Sequence, residues 1–60
     1  MNWNELKRIA ERHGFEFVRH GKKHDKYMNP TTGELIDIER HWSQEVRPGL
    51  LKNLKKKIGF

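Results

Sequence analysis

Cysteine is absent from this chain of 60 residues, which removes disulfides, thiolate metal sites and thiol nucleophiles together and points to a reducing compartment, the cytoplasm. Long apolar runs are also missing. No stretch approaches the ~20 residues of a membrane span, and the first residues include Asn2, Asn4, Glu5 and Lys7 where a secretory signal would be apolar. No membrane association is expected. Acidic residues are missing from the last fifteen positions. Met1 to Glu45 holds eight basic and eight acidic residues, so the formal charge of +5 comes entirely from Arg47, Lys52, Lys55, Lys56 and Lys57. A basic end on a small domain suits a polyanion or an acidic protein partner, and the same residues also serve as a solubilising helix face.

What remains is one small basic domain over residues 1–60, 33% hydrophobic and 35% charged. A chain this short buries only roughly 60% of its unfolded surface, so its core must come from a few large side chains. The two Trp, three Phe and one Tyr are the candidates.

Asn2 followed by Glu5 is a helix-capping pattern, and Trp3, Leu6, Ile9, Ala10 and His13 fall at helical spacing before Gly14. A helix is expected over 3–13. Phe15 to His20 is aromatic and β-branched and ends at Gly21, His24 to Asn29 can return as a second strand, and Asn29-Pro30-Thr31-Thr32-Gly33 is a concentrated turn. Glu34 to Glu39 then reads as a third strand. Pro48 suits the first turn of a last helix with Leu50, Leu51, Leu54 and Ile58 as its apolar stripe and Gly59 as its stop. Neither helix can bury its stripe alone. The expected fold is a two-layer α+β domain, α-β-β-β-α, with both helices on one face of a three-stranded antiparallel sheet.

Histidine is the side chain best suited to proton transfer near neutral pH, and there are four: His13, His20, His24 and His41. His13 falls in the last turn of the first helix, where a cation complements the helix dipole. His24 differs in its surroundings, because Arg19, Lys22, Lys23 and Lys26 crowd it and only Asp25 opposes them. Strand parity groups His24 with Lys26 and Asp25 with Tyr27; if Tyr27 packs inward, His24 and Lys26 face outward. No metal and no small-molecule cofactor are expected, since His20 and His24 span a turn without clustered carboxylates. Asp37 and Glu39 read as the polar edge of strand three. No Gly-rich phosphate loop or nucleophile elbow is present, and two helices flanking three strands offer no helix-turn-helix pair for a DNA-binding regulator.

The ordered motifs resemble the HicA-type messenger-RNA interferase toxins of bacterial type II toxin-antitoxin modules along nearly the whole chain. They are the opening helix ending in His13-Gly14-Phe15, the strand FVRH leading to Gly21-Lys22-Lys23-His24 and Tyr27, the hairpin into LIDI, then His41, and Glu45-Val46-Arg47-Pro48-Gly49 before LLKNLKKKIGF. The resemblance implies a fold like the double-stranded-RNA-binding domain, ribosome-independent cleavage of messenger RNA, and silencing by a cognate HicB-type antitoxin. By motif position it implies His24 as the single catalytic histidine. Lys22 stands where many relatives carry Ser, and Glu39 and Trp42 lie in a connection where relatives often carry Pro.

The expected chemistry is metal-independent: the ribose 2′-OH attacks the adjacent phosphate while His24 acts as general base or general acid. Arg19, Lys22, Lys23 and Lys26 would bind the phosphates, and Lys52, Lys55 and Lys56 would hold the RNA backbone without reading its sequence. The alternative expectation is a catalytically inert RNA-binding module of the same fold.

Overall fold

The computed structural model describes residues 1–60. Its elements are α1 (Trp3–Arg12), β1 (Glu16–His20), β2 (His24–Met28), β3 (Leu35–Glu39) and α2 (Pro48–Ile58). The strands form one antiparallel sheet in the order β1-β2-β3, so the expected α-β-β-β-α order is the one observed. The expected elements overran by a residue at some ends: His13 is the cap of α1, and Phe15, Asn29 and Glu34 lie just outside the strands.

The local signals act as physical chemistry requires. The Asn2 side chain accepts from the Glu5 backbone N–H at 2.9 Å while Glu5 accepts from the Asn2 N–H at 3.1 Å, a complete capping box. Gly59 closes α2 at φ +98°, in the left-handed region that favours glycine. Pro48 opens α2 without a side-chain cap from Arg47.

Both helices lie on one face of the sheet. Tyr27 of β2 and Ile36 and Ile38 of β3 meet Trp3, Leu6 and Ala10 of α1 and Leu54 and Ile58 of α2, with Phe15 and Val46 completing the core. Leu50 and Leu51 of the expected stripe are only partly buried at its margin.

Three of the six aromatic residues do not enter the core: Phe17, Trp42 and Phe60 are all more than a third exposed. The cause is the sheet order. The helices pack over β3 and the centre, leaving β1 as an edge strand with every residue exposed. Phe17 therefore lies half-open against the Tyr27 ring, centroids 5.8 Å apart. The ladder also slips between Phe17 and Arg19, so that Val18 has no cross-strand partner.

A buried asparagine fastens the turn between β2 and β3. Asn29 donates from Nδ2 to the His13 carbonyl at 3.1 Å and accepts at Oδ1 from the Thr31 N–H at 2.9 Å, which ties the turn to the end of α1. The connection from β3 to α2 is pinned to the start of α1 by Trp3 N–H to the Gln44 carbonyl, Asn4 N–H to Trp42, and Val46 N–H to Met1, at 3.0–3.1 Å. Backbone donors that a helix start leaves free are thus used to hold a loop. No helix is long and apolar enough to cross a membrane.

Candidate functional site

Alternation along β2 sends Asp25 and Tyr27 into the helix-covered side, where both are buried, and leaves His24 exposed on the open side. Lys26 shares that open face. Its cross-strand partners are Arg19 on β1 and Asp37 on β3, and its ammonium lies 3.4 Å from the Asp37 carboxylate. Lys26 is therefore partly neutralised by its own sheet. His24 pairs across the ladder with Glu39, so Asp37 and Glu39, read from sequence as a polar strand edge, stand beside the two basic side chains of β2.

The turn that carries His24 is unusually tight. The Gly21 N–H donates to the His24 carbonyl at 2.6 Å. A Cβ on Gly21 would lie 2.9 Å from that oxygen, closer than a side-chain carbon can approach a backbone atom. Glycine is needed here for space.

Arg40, just past β3, clamps the same turn from below. Its guanidinium donates to the carbonyls of Lys22 at 2.6 Å and Gly21 at 3.0 Å, and reaches the His24 carbonyl at 3.4 Å. It also donates to Asp25 Oδ1 at 2.8 Å, and His20 Nδ1 meets the same oxygen at 2.7 Å. Burial pushes the Asp25 carboxyl upward, but the hydrogen bonds and charges of His20 and Arg40 outweigh it and hold the group below the ordinary carboxylate range. One buried anion thus fixes one planar cation, whose fork geometry binds three carbonyls around His24.

Sequence alone singles out neither Arg40 nor the buried role of Asp25, which reads there as a counter-charge to the lysines. Its pairing with Arg40 spans fifteen residues and follows only from strand register and from the turn back out of β3.

Of the remaining candidates, Lys22 and Lys23 are exposed in the turn and Arg19 is exposed on β1. Lys52, Lys55 and Lys56 are exposed on α2, in the layer on the other side of the sheet from His24. The Lys55 ammonium sits over the Phe60 ring, 5.6 Å from its centroid. The cationic candidates thus form two groups, one around His24 and one on the helical layer. No group of three or more His, Asp or Glu side chains is placed to hold a metal ion. A polar cavity of about 360 Å³ opens between the β1–β2 turn and the connection to α2, lined by Lys23, Glu39, His41, Glu45 and Arg47, with Trp3 as its apolar wall.

Among known proteins, the family model described as the HicA toxin of bacterial toxin-antitoxin systems matches residues 3–60. No curated protein and no solved structure matches the chain.

Proposed function

Because the chain belongs to the HicA toxin family of bacterial toxin-antitoxin systems, we propose that it is an endoribonuclease that cuts messenger RNA without the ribosome, with His24 as its catalytic group. The observation that carries this reading is the setting of His24: an exposed imidazole on the open sheet face, on a turn held by Gly21 and Arg40, with Arg19, Lys22, Lys23 and Lys26 around it.

The reaction follows from those groups. The ribose 2′-OH attacks the neighbouring phosphorus, and the P–O5′ bond breaks to leave a 2′,3′-cyclic phosphate and a 5′-hydroxyl. His24 either takes the 2′-OH proton or delivers one to the departing oxygen. Arg19, Lys22 and Lys23 stabilise charge gathering on the phosphorane oxygens, and Lys26 contributes through the charge that Asp37 leaves uncompensated. Lys52, Lys55 and Lys56 hold more distant phosphates by charge alone.

A cognate HicB-type antitoxin silences the toxin by covering the open face around His24. Its contacts on that face are acidic groups for the turn lysines, and where it wraps the β1 edge of the sheet it offers apolar side chains to the exposed Phe17 and Val18.

The reaction as drawn needs no metal ion. Purified protein incubated with messenger RNA in excess EDTA is expected to cut it at the same rate as without EDTA, yielding cyclic-phosphate ends. RNA that is bound but stays intact under both conditions would identify an inert RNA-binding module.

A further inference from the structure

The cleavage just described requires two proton transfers at opposite ends of an in-line displacement, and a single imidazole cannot stand at both. We infer that His41, in the polar cavity beside His24, is the second proton-transfer group, and that this cavity holds the phosphate and ribose next to the scissile bond. The inference rests on the ribonuclease reading and extends it.

The cavity adjoins His24 through two of its walls. Lys23 immediately precedes His24, and Glu39 is its cross-strand partner. His41 lies two residues beyond Glu39. The ladder ends at Glu39, so His41 is placed by the connection that leaves β3 directly from the cross-strand partner of His24.

His41 also has the fixed footing that such a role requires. Its carbonyl accepts from the Gln44 N–H at 2.9 Å, and the Gln44 carbonyl in turn accepts from the Trp3 N–H at 3.1 Å. Arg40, immediately before it, is bound to Asp25 and to the turn carbonyls. The backbone at 40–44 is therefore tied both to the His24 turn and to the first turn of α1. These are backbone and Arg40 bonds, so replacing the His41 side chain leaves them in place. Lys23 and Arg47 give the cavity two cations for a phosphate, and Glu39 adds an acceptor for a ribose hydroxyl, while the Glu45 carboxylate is taken up by the N-terminal ammonium at 2.7 Å.

The step balances with these two groups. One histidine removes the 2′-OH proton as O2′ bonds to phosphorus. The P–O5′ pair of electrons leaves with O5′, which takes a proton from the other histidine. Exchange with water then resets both rings, and no oxidant, reductant or co-reactant is consumed.

A short RNA that the wild-type protein cuts, and the same RNA with sulfur replacing the bridging 5′ oxygen at that bond, provide the test. A thiolate leaves without being protonated, so loss of the general acid is repaired by the sulfur substrate and loss of the general base is not. His24→Gln and His41→Gln should each slow cleavage of the oxygen substrate by roughly 10²–10⁴-fold. RNA binding by anisotropy and the circular dichroism spectrum should stay at wild-type values for both. One variant, and only one, should recover on the sulfur substrate. A His41→Gln protein that cuts the oxygen substrate at the wild-type rate would overturn the inference alone, as would recovery of both variants or of neither. A wild-type protein that cuts no RNA would overturn the ribonuclease reading itself.

Discussion

Removing the Arg40 side chain should cost the fold far more than an ordinary surface charge does. Asp25 is 5% exposed, and in Arg40→Ala its carboxylate keeps only His20, whose side chain is 72% exposed. Breaking a fully buried ion pair costs roughly 3–5 kcal/mol. The Arg40 side chain is 35% exposed, and water can reach the carbonyls it abandons, so the expected loss is about 2–3 kcal/mol. At about 0.05–0.15 kcal/mol per residue a domain of this length has roughly 3–9 kcal/mol in total, so the variant should be marginal and melt roughly 10–20 °C lower. Asp25→Asn removes the charge that Arg40 answers, and once it is made, Arg40→Ala should cost about 1–2 kcal/mol less than it does alone. Urea unfolding of the wild type, both single variants and the double variant, followed by the fluorescence of Trp3 and Trp42, gives the full cycle. Costs that add to within about 0.5 kcal/mol would show that the pair is not coupled and that Arg40 acts through the carbonyls alone.

Two further outcomes follow from the same turn. Gly21→Ala places a methyl group against the His24 carbonyl. It should destabilise the protein by about 1–3 kcal/mol and reduce RNA cleavage by displacing His24, seen as a lower melting temperature together with a lower rate; a fully active, fully stable variant would contradict the close approach. The second outcome concerns acid. Asp25 titrates below its ordinary value in the folded chain, so its contribution to stability is complete above the unfolded carboxyl value of about 3.9 and is lost as pH falls below that through the folded value. Urea midpoints measured from about pH 5 downward should fall more steeply for the wild type than for Asp25→Asn; parallel curves would remove Asp25 from the account.

The parts of the fold that sequence makes legible are those set by neighbours in the chain. The capping box at Asn2, the helix start at Pro48 and the stop at Gly59 each depend on a few adjacent residues, and each is found where those residues stand. The outward placement of His24 was readable for a similar reason, because parity along β2 needs only Tyr27 to be the inward residue. What was hidden depends on how elements meet. The exposure of Phe17 follows from β1 lying at the uncovered edge of the sheet, and apolar spacing alone cannot tell an edge strand from a central one. The clamp of Arg40 on Gly21, Lys22 and Asp25 joins residues fifteen to nineteen positions apart. Its signal in the sequence, an acid inside a cationic run, was visible without its partner. The cavity that holds His41 is likewise made by the pinned connection from β3 to α2, in a segment whose composition reads only as a polar link.

The catalytic assignment of His24 is tested most directly by the rate at which His24→Gln cuts a messenger RNA, measured beside the wild type in EDTA with matched circular dichroism spectra. The expected result is a loss of roughly 10²–10⁴-fold with RNA binding retained. A His24→Gln protein that cuts at the wild-type rate would contradict the account.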